Sequence, residues 1–516
     1  MTLDYLIIGA GPAGLQLAAL LEDQANKGQG KRDYLVLERG DAPGTFFTRY
    51  PRHRTLISLN KVHTGTDDPE LSMRMDWNSL LTDDPSLLFR NYSVRYFPPA
   101  EAFVDYLADF AAKTGVRVRY GTDVTRVSKE GDEFVVRSAD ETWRARRLVV
   151  ATGVSRTYRP DIEGLELAEG YDTMSVDPQD FTDQRVLVLG KANSAFETAD
   201  NLIETTSVLH VAGPSSVHLA WRTHFVGHLR AVNNNFLDTY ELKAGNAVLD
   251  GHVRSIERDG DHLKVMFAFS RADEVVKELR YDRVLLCTGF AFDAGIFDES
   301  CRPELTIKDR FPAQTSAWES VNVPGMYFAG TITQVRDFKK STSGFIHGFR
   351  YGARALHKIL EQRDNGTPWP ARETPEITEA IVERVNRTSA LWQQFGFLAD
   401  VVTVHNGTAA YHEEVPLDYF AEGGLGGYDD AFAITLEYGP DHDKVDPFDI
   451  TVKRVAQDSA GQAHDAAYLH PVIRHFRGGT VRATHHLAEN LENRWNRPDV
   501  HVAPLAAFVG RALAGA

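Results

Sequence analysis

Residues fit to hold phosphate open the chain. Gly9, Gly11 and Gly14 stand at G-x-G-x-x-G spacing, straight after the apolar run Tyr5–Ile8 and straight before the Leu- and Ala-rich segment Leu15–Ala25. A strand, a turn and a helix in that order form a dinucleotide-binding fingerprint. Gly9 makes the turn, Gly11 lets the backbone approach a pyrophosphate, and Gly14 lets helix and strand pack closely. Pro12 and Ala13 start the helix, whose free N–H groups and partial positive charge then face the phosphates. A second apolar run, Tyr34–Leu37, ends in Glu38, an acid placed to accept hydrogen bonds from a ribose diol, with Arg39 beside it. Glu38 lies 29 positions after Gly9 (38 − 9), more than the usual spacing of about 20. The polar run Asn26–Arg32 absorbs the excess as a longer loop.

The pattern returns inside the chain. Arg185–Leu189 reads as a strand, Gly190-Lys191-Ala192-Asn193-Ser194-Ala195 as a turn, and the residues through Glu197 as the start of a helix. Alanines replace the second and third glycines, so Ala192 should stand farther from a pyrophosphate than glycine would. Gly190, Ala192, Asn193, Ser194, Ala195 and Glu197 are the candidate contacts of this second site. Two buried strands end alike, in Ala151-Thr152-Gly153 and Cys287-Thr288-Gly289. A third, Met326–Ala329, ends at Gly330 and leads to Asp337, placed to hold a ribityl or pyrophosphate group. A helix expected from about Ser343 to Leu360 has Ser341, Thr342 and Ser343 as caps and Phe345 on its apolar face. Its positive end would favour negative charge on a reduced flavin. Thr45 and Phe46, after Gly44, suit a loop over a flat ring system, and Val124 completes the nucleotide set. Asn60 is either a polar contact to the ring or a turn-forming Asn.

These elements imply an α/β protein of two nested Rossmann-like dinucleotide-binding folds with a C-terminal α+β extension. The expected division is 1–165 with 285–365 for the first fold, 166–284 for the inserted fold, and 366–516 for the extension. Short strands at Ala433–Tyr438 and Phe448–Val455, and helices at Ile377–Phe395 and Leu487–Trp495, are expected in the extension, which serves as cap or interface. The two folds point to FAD on the first and a nicotinamide nucleotide on the second. NADPH is mildly preferred and NADH is the other candidate, because Ala212–Ser216 holds no basic residue and Arg222 is the nearest arginine.

The chain has 516 residues and a net charge of −16, which argues against nucleic acid or anionic membrane as the main partner. No apolar run is long enough to span a membrane and no signal peptide is apparent, so a cytoplasmic protein is expected. Two cysteines, Cys287 and Cys301, rule out a disulfide framework, a C-x-x-C redox pair and a thiolate zinc site. His224 and His228 stand four apart but lack a third ligand, so no metal is expected.

The first fingerprint and the Asn193-Ser194-Ala195 turn resemble the flavin-containing monooxygenase superfamily. Glu169–Asp200, His224–Tyr240, Tyr327–Tyr351, Phe395–Val402 and His470–Ile473 are more similar still to the group of FAD-dependent oxidoreductase domain-containing protein 2 and its bacterial relatives. The monooxygenase signature F-x-G-x-x-x-H, expected before the second fold, is absent, and no histidine lies between His63 and His210. The resemblance implies that NAD(P)H reduces FAD, that O₂ adds at flavin C4a, and that the terminal oxygen passes to a small-molecule soft nucleophile, an amine nitrogen or a sulfide. Asn60, with Lys61 and Arg222 behind it, would steady that oxygen. An FAD-dependent dehydrogenase or oxidase is the alternative, and a flavin-stabilised binding protein a further one. Expected partners are a small-molecule substrate and O₂, with a homodimer as the candidate assembly.

Overall fold

The computed structural model describes residues 2–241 and 245–515. The strand Thr2–Ile8 lies at the centre of a seven-stranded sheet. Tyr34–Leu37 and then Val118–Arg119 lie parallel to it on one side, and Thr142–Val150 on the other. The end of that last strand, residues 148–150, also carries Met326–Phe328 in parallel, while its first part carries the antiparallel hairpin Arg126–Glu130/Glu133–Arg137. Continuous burial of Tyr5–Ile8 explains the unbroken apolar run, because a parallel sheet is covered on both faces. Helices Pro12–Asn26, Ala100–Thr114 and Ile346–Asn365 supply side chains to one core cluster with these strands.

The second sheet repeats the plan. Val208–Gly213, Arg185–Leu189 and Arg283–Leu286 pair in parallel, flanked by Asn246–Asp259 and Glu169–Gly170. The second half of Asn246–Asp259 continues into an antiparallel meander with His262–Phe269 and Val275–Tyr281. Arg283–Leu286 belongs to this sheet, so it runs across the expected 284/285 division.

The third sheet has six antiparallel strands, ordered Arg372–Glu373, Thr408–Pro416, Leu398–His405, Asp430–Glu437, His470–Arg477, Thr480–His486. Of these, the sequence reading finds only one, expected at Ala433–Tyr438 and lying at Asp430–Glu437. Asn406-Gly407 and Gly478-Gly479 join two of the hairpins, and all four residues have positive φ, which matches the twist of the flanking strands. Phe448–Val455 is not a strand. Its alternating apolar residues find no partner edge, and Phe448 is 78% and Ile450 99% exposed. The expected helix Ile377–Phe395 is two, Ile377–Arg387 and Ala390–Gln393, and Leu487–Trp495 is irregular rather than helical. The third sheet packs on Ile346–Asn365: Ala399, Val401 and Val415 share a core with Ala355, Leu356 and Ile359. The residues behind it form a separate core around Trp495, Leu505 and Phe508.

Candidate functional site

Pro12–Asn26, Asn193–Leu202 and Ile346–Asn365, like several other helices of the chain, begin without a side-chain cap. The orphan N–H groups of such a start need a partner. All three starts border one cavity of about 900 Å³. Caps were expected for the third helix, but it starts at Ile346. Ser341 and Ser343 donate to Gln394 Oε1, at 3.5 and 3.2 Å, and Thr342 donates to the Gln393 carbonyl. The C-terminal region thus draws the expected caps away and leaves the helix start open. Among the described residues none beyond Phe349 lines the cavity, so this region buttresses the site from behind.

The fingerprint glycines divide their work. Gly9 has φ +107°, and a Cβ there would lie 2.6 Å from the Ala151 carbonyl oxygen. A Cβ on Gly14 would lie 2.0 Å from the Gly9 oxygen. Both positions are closed to side chains by packing. Gly11 faces open space, with nothing within 4 Å of an added Cβ. The inserted fold copies the first position: Gly190 has φ +133°, and a Cβ would lie 2.2 Å from the Cys287 oxygen. Ala192 has ordinary extended backbone (φ −117°, ψ −172°), so alanine fits where Gly11 stands in the first motif.

Glu38 is buried and fixed. Oε2 accepts from the Ala10 N–H at 2.8 Å, and Oε1 accepts from the Gly40 N–H at 2.9 Å and the Thr45 hydroxyl at 2.8 Å. Arg39, Thr45, Phe46, Val124, Thr152, Gly153 and Gly330 line the same cavity with Gly9, Gly11, Pro12 and Ala13. Asn193, Ser194, Glu197 and Phe345 line it from the other side. The Asn193 side chain also clasps a loop: Nδ2 donates to the His228 carbonyl at 2.8 Å and Oδ1 accepts from the Arg230 N–H at 2.9 Å.

Other expected residues lie elsewhere. Asn60 is buried outside the cavity, and its amide donates to the carbonyls of Ser93 at 2.6 Å and Arg95 at 3.2 Å. It ties two chain segments together and offers no group to a ring. Lys61 and Arg222 are exposed and line no part of the cavity. Gly14, Gly190, Ala192, Ala195 and Gly289 shape the turns from outside it. Asp337 is buried off the cavity, with Oδ2 accepting from the Ser343 N–H at 3.1 Å and Oδ1 unpartnered among the described residues. Burial pushes its carboxyl up to about 7. His224 and His228 do not share a helix face. His224 has φ +57° and stacks on Tyr438 at 4.3 Å, whereas His228 pairs with the Thr223 hydroxyl at 2.7 Å.

The sequence reading missed Trp77, Arg230, His347 and the aromatic wall of Tyr50, Tyr171 and Phe290, all in the lining. Tyr50 stacks on Tyr171 at 5.7 Å and meets Phe290 edge-on at 5.2 Å. His347 stacks on Trp77 at 4.1 Å. Burial, together with the Arg350 and Arg230 charges, holds its imidazole well below the usual range, so it is neutral. Burial, and the Asp200 charge, raise Glu197 to about 7. Trp77 sits in a polar, Asp- and Pro-rich stretch whose composition gives no hint of a binding wall.

The open face of Gly11, the fixed Glu38 carboxylate and the uncapped helix starts fit an FAD. The repeat of the Gly190 turn, with Asn193 and Ser194 on the cavity, fits a nicotinamide nucleotide beside it. Near the end of Val208–Gly213, Lys191 reaches the Ser215 carbonyl at 3.1 Å but also pairs with Asp250.

A family model for pyridine nucleotide-disulphide oxidoreductases matches residues 6–330. The chain is 38% identical to FAD-dependent oxidoreductase domain-containing protein 2 of Mus musculus, over 99% of this chain and 84% of that protein. Among the solved structures that share the fold over 70% of this chain are a reductase and a monooxygenase. The bacillithiol disulfide reductase Bdr of Staphylococcus aureus has TM-score 0.53 at 19% identity and is covered completely. The flavin-containing monooxygenase of Stenotrophomonas maltophilia has TM-score 0.52 at 19% identity and is covered over 98%. With both nucleotide motifs on one cavity and this match along its length, the chain belongs to the pyridine nucleotide-disulphide oxidoreductase family and is a flavin-dependent oxidoreductase.

Proposed function

We propose that the protein is an FAD-dependent monooxygenase that takes hydride from NADPH, with NADH as the other donor, and delivers one oxygen atom to an amine nitrogen or a sulfide. The observation that carries this is the single cavity joining the fingerprint helix, the start of the inserted fold's helix and the start of Ile346–Asn365 under an aromatic wall. FAD, when bound, supplies hydride acceptance and oxygen activation. The Gly11 backbone and the first helix start hold the pyrophosphate, and Glu38 holds the ribose. The start of Ile346–Asn365 stabilises negative charge on the reduced ring. Tyr50, Tyr171 and Phe290 exclude water. Glu197, with its carboxyl near 7, is suited to take the proton that an ammonium substrate must lose before its nitrogen can act as a nucleophile.

The family also includes enzymes that pass electrons to disulfides. Here the two cysteines lie in different core clusters, Cys287 in the inserted fold and Cys301 in the first. Burial raises their thiols to about 12 and about 11. They cannot form the paired, ionisable relay such transfer needs. A dehydrogenase or oxidase is the second reading, favoured by the placement of Asn60, Lys61 and Arg222 away from the cavity. Rapid mixing of the anaerobically NADPH-reduced protein with oxygenated buffer, with and without an amine, separates the two. A transient absorbance distinct from oxidised and reduced flavin is expected. Direct return to oxidised flavin under both conditions would overturn the monooxygenase reading.

A further inference from the structure

Arg230 is a cation without an acid. Nη1 donates to the Ile57 carbonyl at 3.0 Å, and the guanidinium lies over the Trp77 ring, 5.3 Å from its centroid. It makes no ion pair among the described residues, and its other side-chain N–H groups make no hydrogen bond there. The group lines the main cavity, and its position is fixed from both folds. Its backbone N–H is held by Asn193 Oδ1 at the start of the inserted fold's helix, and its side chain is held by Ile57 of the first fold. The neutral His347, also stacked on Trp77, lines the cavity too, and its buried Nε2 has no partner among the described residues.

A half-buried guanidinium loses hydration and regains it only from an anion or further acceptors. Here the surroundings are the Ile57 carbonyl and the Trp77 face, with the neutral His347 imidazole stacked on the same indole and the Tyr96 phenol nearby. We propose that Arg230, laid on Trp77 beside His347, is the anchor for the carboxylate of an organic substrate with an apolar body. This rests on the functional reading above and names the substrate class for that cavity. The fork of a guanidinium matches a planar carboxylate with two parallel hydrogen bonds. A phosphate dianion suits the place less well, because one guanidinium balances one negative charge; the other arginines of the lining, Arg39 and Arg49, stand on segments of the first fold. The guanidinium stays charged across the working pH range and needs no proton exchange to act.

The test is calorimetric titration of the FAD-loaded protein with benzoate and with its neutral analogue benzamide, for the wild type, Arg230→Met, Arg230→Lys and the control Arg222→Met. NADP⁺ is titrated in parallel. Benzoate is expected to bind wild type at least tenfold tighter than benzamide. Arg230→Met should bring benzoate to the benzamide level, and Arg230→Lys should recover part of the loss. Arg222→Met should match wild type, and NADP⁺ affinity should stay within twofold in all four. Equal binding of benzoate and benzamide by wild type, or benzoate binding unchanged by Arg230→Met, would overturn the assignment. So would a tenfold loss of NADP⁺ affinity in Arg230→Met, which would give the guanidinium to the nucleotide phosphates. The titration reads affinity without turnover, so its result is independent of whether oxygen transfer is observed. Arg230→Lys covers the case in which the methionine variant does not fold.

Discussion

Glu414→Gln tests what joins the third sheet to the rest of the molecule. Glu414 is 2% exposed and sits among cations from two elements. Arg354, on the helix that starts at the cavity, donates through Nε at 2.7 Å and also through Nη2. Lys358 lies at 3.6 Å, and Arg384 at 3.6 Å from the other side. Asp400, fully buried, pairs with Arg384 at 2.9 Å and accepts the Glu414 backbone N–H at 2.9 Å. Burial alone would raise the Glu414 carboxyl, but these cations win and lower it from 4.5 to about 2. Lowering the carboxyl from 4.5 to about 2 corresponds to about 3.5 kcal/mol, since each pKa unit is about 1.4 kcal/mol. Removing one partner of a buried pair independently suggests about 3–5 kcal/mol. Glutamine keeps the shape and loses the charge, so Glu414→Gln should cost about 3.5 kcal/mol at pH 7 in urea unfolding followed by tryptophan fluorescence. The folded pKa lies below the unfolded one. The wild type's advantage is therefore fully present above about 4.5 and should shrink as pH falls from there through about 2. A cost below about 1 kcal/mol at pH 7, or a difference that does not change between pH 6 and pH 3, would refute the reasoning.

Glu38→Ala leaves the Ala10 and Gly40 N–H groups and the Thr45 hydroxyl without their acceptor, at about 1–3 kcal/mol for each buried donor. The purified variant should carry little FAD by its visible absorbance, and full occupancy would count against the ribose assignment. Asn60→Ala should destabilise by about 1–2 kcal/mol through its two lost carbonyl partners, with the flavin reoxidation rate unchanged at equal FAD content. A slowed reoxidation would return Asn60 to the chemistry. Gly190→Ala should block folding of the second sheet, because its Cβ would overlap the Cys287 oxygen, whereas Ala192→Gly should change stability by no more than about 1 kcal/mol. Thermal melts of the two variants check this. Glu197 has a folded pKa raised to about 7, so its burial costs stability as pH rises from about 4.5 through 7. Glu197→Gln should therefore melt higher than wild type at pH 8 and equally at pH 4.

The sequence by itself determined what is local. Gly9 and Gly14 are dictated by contacts a few residues away or by the end of one adjacent strand, and Glu38 by its place at the end of Tyr34–Leu37, so spacing reveals them. The Asn406-Gly407 and Gly478-Gly479 hairpins are equally local, because both residues of each turn need positive φ, yet the sequence reading passed over them. Period-two alternation at Phe448–Val455 was not enough, because a strand also needs an edge to pair with and the fold supplies none there. What tertiary structure decided was where side chains are used. Asn60 looks free until Ser93 and Arg95 claim its amide. The three hydroxyls before Ile346 look like caps until Gln393 and Gln394, about fifty residues on, take them and open the helix start. Arg230 is one arginine among many in the chain, and only the packing of Ile57, Trp77 and Asn193 around it leaves its charge unanswered on the cavity wall. Hydrogen bonds of this kind join residues far apart in sequence, and no periodicity records which polar groups the fold will pair.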